Sequence, residues 1–311
     1  LKYNQLLDIL IVNKLISVNE KYSVGNFYKS YRVETDFISC NFTDFEIDFN
    51  KIYSNTRNKS YWIEKYPELT NLIEDCYNTT IDLSSYLDWL IANEGIELKP
   101  VLDKGVLKRR FLNKERIYQH FNLALKVNLK NLWFKLSNEG RFYSSISNLP
   151  YTAVDFIKLY GNDTIEIDIK NSQPLLLGLL LNNDKYMKDV INGVFYDVMA
   201  NELGIERNEF KPLCYKYILF SSKPLKSGKI YNAIKKVYGT LIDDINAIKE
   251  NECLAKKLQK MESDIFVKNI GKLKISKLLR HDQVVIKNQD ELIVKKFLVN
   301  EYNKLNINIS L

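Results

Sequence analysis

Histidine is almost absent from this 311-residue chain, and cysteine is scarce. There are two histidines, and the four cysteines (Cys40, Cys76, Cys214, Cys253) are scattered with no Cys-x-x-Cys pair. That pattern argues against a zinc site or a disulfide framework and fits a reducing cytosol. Long apolar runs are missing too. The longest, such as "LLLGLLL" at 175–181, are far too short to span a bilayer. No signal-peptide pattern opens the chain, so a cytoplasmic location without a membrane partner is expected, and a phage, plasmid or bacterial origin is compatible with it. The chain begins at Leu1 rather than Met, which leaves room for a preceding piece. There is no internal repeat, low-complexity segment or obvious linker.

Apolar residues make up 46% and charged residues 27%, the balance of a chain with a sizeable core and a soluble surface. The net charge of +7 is unevenly spread. Residues 1–100 carry 10 Lys/Arg against 15 Asp/Glu, and residues 101–311 carry 35 against 23. The basic part includes "KGVLKRRFLNKER" at 104–116 and the lysine-rich stretch from Lys256 to Arg280. Such a domain points to a polyanion, with nucleic acid the leading candidate. A solvated helix face is the plain alternative.

Periodicity predicts a helix over 1–16, then strands over 17–50 with "SVGN" as a turn and "FTDFEIDF" as a period-two run. Two helices are predicted over 66–95 and a long basic amphipathic helix over 106–130. "LWFKLSNEGRFYSSI" at 132–146 reads as a hairpin turning at Asn138-Glu139-Gly140. "TIEIDIK" at 164–170 is a strand with isoleucines on one face and acids on the other. An apolar helix follows from about 172. Helical patterns cover 185–203, 207–220, 227–250 and 254–270. A short hairpin is predicted around 279–287, and a last helix from Asp290 to about Tyr302. A boundary is expected near Pro100.

Two carboxylates stand out. Asp168 ends a strand just before a helix, and Asp282 lies in the strand–turn–strand "LLRHDQVVIK". If the strands are neighbours, the pair can hold two divalent ions for metal-assisted phosphoryl transfer. On spacing alone, Asp282 is equally an ordinary turn residue. In "ERNEFKPLCYKYILFSSK", Arg207, Lys211 and Tyr215 fall at i, i+4 and i+8 and form one helical stripe. Two cations on one face can grip a triphosphate, and the aromatic can stack under a base or sugar. A basic helix against solvent is again the plain alternative, and Pro212 threatens to kink it.

The order of these pieces resembles the family A, single-subunit polymerases: the DNA polymerase I type with the phage-T7-like and mitochondrial RNA polymerases. The resemblance runs from about Leu132 to Lys296. "GRFYSSISNLP" at 140–150 is similar to the family's Gly-Arg motif. "EIDIKNSQPLLL" resembles motif A, with Asp168 as the first metal-binding aspartate. "RNEFKPLCY" resembles motif B, on the helix that closes over the incoming nucleotide. "LQKMESDIF" at 258–266 resembles the Gln-x4-Asp helix of the DNA enzymes, with Gln259 reaching the duplex minor groove. "RHDQVVI" resembles motif C, with Asp282 as the second metal-binding aspartate. Five motifs in the right order are hard to obtain by chance.

The resemblance implies an α+β, helix-rich right-hand polymerase. It would have an N-terminal accessory region (1–100) and a polymerase core (101–311). The core would comprise a thumb-like helix (about 104–130), a palm (about 131–184 and 271–311) and fingers (about 185–270). It implies two Mg²⁺ ions on Asp168 and Asp282, with Lys211 and Arg207 balancing charge as pyrophosphate leaves. Gln173, Tyr215 and Phe220 would line the nucleotide site. Arg141, Gln259, His281, Arg109 and Arg110 would contact nucleic acid. Partners would be template, primer or transcript, nucleoside triphosphates, and a protein supplying promoter or processivity function.

The chain departs from the family at several points. Gln283 stands where an acid follows His-Asp. "LFSSK" replaces the aromatic-Gly pair late in motif B, with Phe220 out of register. The spacing from Gln259 to His281 is short. Residues 1–130 carry no exonuclease Asp-x-Glu constellation and are too few for a T7-like promoter-binding region. Gln173, the fifth residue after Asp168, lies near the sugar's 2′ position in the family, and its bulk favours deoxynucleotides. A T7-like RNA polymerase or primase is the alternative, and a non-catalytic nucleic-acid-binding relative is a further one.

Overall fold

Alternation and helical periodicity resolve into a helix-rich α+β structure. The computed structural model describes residues 11, 16–19, 30–33, 57–103, 106–307 and 309. The strands are β1 (Ile16–Asn19), β2 (Ser30–Val33), β3 (Thr79–Ile81), β4 (Glu97–Asp103), β5 (Val106–Phe111), β6 (Phe134–Leu136), β7 (Phe142–Ser144), β8 (Ile157–Leu159), β9 (Asn162–Asp168), β10 (Lys277–Arg280) and β11 (Gln283–Lys287). The helices are α1 (Lys59–Lys65), α2 (Thr70–Tyr77), α3 (Leu83–Ala92), α4 (Lys114–Asn128), α5 (Ser172–Gly178), α6 (Asp184–Ile191), α7 (Phe195–Leu203), α8 (Arg207–Leu213), α9 (Lys229–Tyr238), α10 (Leu241–Asn251), α11 (Leu254–Ser263) and α12 (Glu291–Asn303). The helix expected over 1–16, the "SVGN" turn and the "FTDFEIDF" run lie outside the described residues, apart from β1 and β2, which pair antiparallel.

The chain divides into two units that it crosses between several times, one crossing falling at 96/97. The first comprises residues up to 96 with 111–133 and 148–163, and the second comprises 97–110, 134–147 and 164–311. The reason lies in 104–130, where one thumb-like helix was expected. Residues 106–111 are instead strand β5, paired with β4. Asn113 then caps a new helix, its side chain accepting the Arg116 N–H at 3.0 Å. That helix, α4, turns Ile117, Phe121, Ala124 and Leu125 inward and packs with α3 and β3 of the first unit. Arg109 and Arg110 therefore lie on a strand.

Within the first unit β3 pairs with β8, and β8 returns into the start of β9. The loop between β8 and β9 is only Tyr160-Gly161, with φ of +53° and +76°. Positive φ at both loop residues is the signature of a tight hairpin turn whose twist suits the flanking strands.

In the second unit, β11 lies between β10 and the remainder of β9, both antiparallel to it. Ile167 faces Val284 and Val284 faces Leu279, while Asp168 faces Gln283 and Gln283 faces Arg280. Because side chains alternate across a strand, Ile165, Ile167, Val284, Ile286 and Leu279 share one face, and Asp168, Gln283 and Arg280 share the other with Glu166, Val285 and Leu278. The hairpin β6–β7 turns at Gly140, whose φ is +84°. A Cβ there would stand 3.0 Å from the Ser263 Oγ at the end of α11. That hydroxyl donates to the Glu139 carbonyl at 2.6 Å, so the turn is docked on α11.

Among the described residues no helix is long and apolar enough to cross a membrane. Gly140→Ala should cost on the order of 1–2 kcal/mol, because it forces a side chain into left-handed backbone and against Ser263. Urea unfolding of the two proteins measures this. Equal stability would mean that the turn is not held against α11.

Candidate active site

Asp168 is the last residue of β9, and Asp282 is the second residue of the two-residue loop between β10 and β11. The Ile169 N–H points at the Asp282 carbonyl, 3.4 Å away, so the backbones carrying the two aspartates lie side by side. Asp168 is exposed and Asp282 half-buried. Burial raises the Asp282 pKa above the usual carboxylate value, and the Asp168 charge raises it further. Arg141 and Lys211 pull it back. Two like charges brought together at a sheet end make an acidic site that these two cations offset only in part.

Lys211 comes from α8, where a capping box of Glu206 and Glu209 fixes the start. Pro212 does not end this helix. After it the backbone widens into a π-helical turn over Cys214–Leu219, the usual relief for a disrupted ladder and a frequent feature of functional sites. Tyr215 on that turn has its pKa raised by burial and then by the Asp282 charge, so Lys211 and Tyr215 both lie within electrostatic range of Asp282. Arg207 sits one turn farther out, paired with Asp197 at 3.5 Å. Arg207 and Lys211 lie 5.8 and 5.7 Å from the centroid of the Tyr196 ring. Phe220 is exposed and its ring meets Tyr215 at 5.2 Å.

His281 occupies the first position of the loop with φ +62°. Its ring packs edge-on to Tyr143 of β7 at 5.4 Å. Burial lowers its pKa, and Arg141 and Arg280 lower it further. Arg280 itself is buried against Glu166 at 2.9 Å.

Arg141, beside the docked Gly140, pairs its Nη2 with Oε1 of Glu262 at 2.6 Å. The Gln173 Nε2 donates to the other oxygen of Glu262. Gln173 and Glu262 are each only 2% exposed, so Gln173 is drawn under the surface and is not a free side chain on a pocket wall. Burial pushes the Glu262 pKa up to about 7, against the pull of Arg141 and with the help of the Asp282 charge.

Eight of the expected residues thus gather here: Asp168, Asp282, Lys211, Tyr215, Phe220, His281, Arg141 and Gln173. Arg207 stands at the edge. Gln259 is half-buried on α11, one turn before Glu262. Arg109 is exposed on β5 and pairs with Glu97 at 3.6 Å, and Arg110 follows it there. Reading the sequence missed Glu262, Tyr196 and Tyr143. Tyr143 lies within "GRFYSSISNLP" and Glu262 within "LQKMESDIF", but no local pattern marks either residue.

Among the described residues no cluster of three or more His, Cys, Asp or Glu side chains forms a metal cage. Two adjacent carboxylates, one open to solvent, do fit a hard cation that keeps water or substrate oxygens as its other ligands, as Mg²⁺ does. They do not fit a four-ligand zinc site. The chain matches no protein-family model, no curated protein and no solved structure.

The raised Glu262 pKa has a consequence for stability. Its folded value of about 7 lies above the ordinary 4.5, so the folded state binds the proton more tightly than the unfolded state. Glu262 therefore contributes a loss of stability as pH rises from about 4.5 to 7, on the order of 2–3 kcal/mol in total. Urea unfolding of wild type and Glu262→Gln at pH 5, 6, 7 and 8 should show the wild type losing ground with rising pH relative to the variant. Parallel pH curves would show that Glu262 ionises freely in the fold.

Proposed function

We propose that the chain is a template-directed nucleotidyltransferase that extends a 3′-hydroxyl by metal-assisted phosphoryl transfer. The observation that carries this reading is the pairing of Asp168 and Asp282 at one sheet end, with Lys211 and Tyr215 of the π-widened helix within electrostatic range of Asp282. In this reading β9–β11 form the palm of a right-hand polymerase and residues 185–270 its fingers. Asp168 and Asp282 would hold two Mg²⁺, which when bound lower the pKa of the attacking hydroxyl and neutralise charge on the triphosphate. Lys211 meets the triphosphate as an exposed point charge. Arg207 supplies a second cation once released from Asp197. Tyr215 and Phe220 offer adjoining ring surfaces for the base or sugar. Arg141 and His281 border the aspartates on the side of β7, where a primer end would lie. The basic excess of residues 101–311 supports a nucleic-acid partner.

Deoxynucleotides are the favoured substrates on the resemblance alone, in which the fifth residue after the motif A aspartate, here the bulky Gln173, lies near the sugar's 2′ position. Ribonucleotide addition is the second reading, supported by the burial of Gln173 under Glu262, which leaves more room for a ribose than a free side chain would. Primer extension with four dNTPs against four NTPs, with and without primer, separates these readings. A protein that only binds nucleic acid is inert in every arm. Gln173→Gly should raise NTP use relative to dNTP if this side chain limits the sugar.

Asp168→Asn and Asp282→Asn should each lower nucleotide addition thousands-fold or more, the loss of several kcal/mol of transition-state stabilisation. Both should leave nucleic-acid binding nearly intact in fluorescence anisotropy. Lys211→Ala should raise KM for nucleotide more than it weakens template binding. Full activity in both Asn variants would rule out the metal assignment.

A further inference from the structure

The Arg141 guanidinium pairs with Glu262 and lies within electrostatic range of Asp282, the neighbour of Asp168. Arg141 is close enough to lower the Asp282 pKa and the His281 pKa. Among the described residues its ion pair is nevertheless with Glu262, and with neither aspartate. The arrangement is braced from both sides. The Gln173 amide binds the second oxygen of Glu262, which prevents the carboxylate from swinging away. The Arg141 backbone is fixed by the neighbouring Gly140, where the turn is held against Ser263. The Arg141 Nε, buried, has no protein partner, so the guanidinium keeps a spare donor. A loosely held arginine near an aspartate pair would form a bidentate pair with one carboxylate. That pair would occupy the oxygens a cation needs.

We infer that Glu262 is a positioning residue that holds Arg141 off Asp168 and Asp282, and so keeps the two aspartates available to a divalent cation. The inference rests on reading those aspartates as cation ligands. It assigns Glu262 a role outside the ligand set, acting through Arg141.

Binding of Mn²⁺ alone to the full chain, read by the electron paramagnetic resonance signal of the free ion, tests this without any turnover. Glu262→Gln preserves shape, but its amide presents only one acceptor to two donors. It should weaken Mn²⁺ binding by about tenfold or more, the range for groups that support metal ligands from behind. Arg141→Gln should change it less than about threefold, because the buried Glu262 left alone takes up a proton and becomes neutral. The double variant should return close to wild type, since no guanidinium remains to collapse onto the aspartates. Gln173→Ala, which loosens the brace and keeps both charges, should weaken binding in the same direction but by less. It also serves if Glu262→Gln does not fold, as thermal melts will show.

Wild-type affinity in Glu262→Gln would overturn the inference, as would a double variant as weak as the single one. Equal and opposite shifts in the two single variants would overturn it too, because they would show simple addition of charge. A wild type with no Mn²⁺ signal that Asp282→Asn removes would overturn the metal reading itself, and the inference with it.

Discussion

The register of β9 against β11 is the constraint on which the rest of the site depends. Gln283 sits opposite Asp168 and Val284 opposite Ile167. A slip by one residue would turn every side chain of the strand to the other face. It would carry Ile167 out of the core and turn Glu166 and Asp168 toward it. Fully burying one such aliphatic side chain contributes about 1.5–3 kcal/mol, and burying an unpaired carboxylate costs more than that. The apolar face therefore fixes the polar one. Because only two residues join β10 to β11, Asp282 can then lie nowhere but beside the end of β9. Residues with no chemistry of their own, Ile165, Ile167, Val284 and Ile286, determine where the two aspartates stand.

Left-handed backbone flanks both acids. Asn171, three residues after Asp168, has φ +59°, and His281, immediately before Asp282, has φ +62°. Each such residue costs roughly 1–2 kcal/mol unless it is glycine, although Asn and His adopt this region more readily than most. Glycine would fit both places with less strain. At 281 a glycine would lose the ring that meets Tyr143. At 171 it would lose the side-chain amide that donates to the Val190 carbonyl at 3.3 Å. The fold accepts strain at the two points nearest the acids and offsets it with contacts that hold each loop in one conformation.

Local pattern made part of this legible. The alternation of "TIEIDIK", the turn at Asn138-Glu139-Gly140, and the stripe of Arg207, Lys211 and Tyr215 each survive in the structure because each rests on neighbours within a few residues. The failures have physical causes of the opposite kind. The run "VLKRRF" continues the helical pattern of the helix beyond Asn113, and its pairing with β4 leaves no local mark. Strand β8 is three residues long and is made a strand by its partners, β3 and β9. Pro212 signalled a break, but the chain absorbs the missing donor in a wider turn. Glu262 was invisible because its partners, Arg141 and Gln173, are distant in sequence and reach it only through packing of α5 and the β6–β7 turn against α11.

That invisibility bears on why Glu262 is there. A buried ion pair is a poor source of stability, since stripping water from both charges offsets most of their attraction, and well-packed apolar replacements are often as stable. The Glu262 pKa shows the cost directly, because burial outweighs the adjacent guanidinium and moves the acid toward its protonated form. Stability therefore does not explain the pair. Geometry does: Glu262 meets Arg141 on one oxygen and Gln173 on the other, with the Gly140 turn locked to the next residue, Ser263. Three separated pieces of chain converge on one carboxylate, and among the described residues the guanidinium they fix pairs with it and with neither aspartate. Free energy lost in burying these charges is recovered only as placement, which is the expected signature of a site rather than of a core.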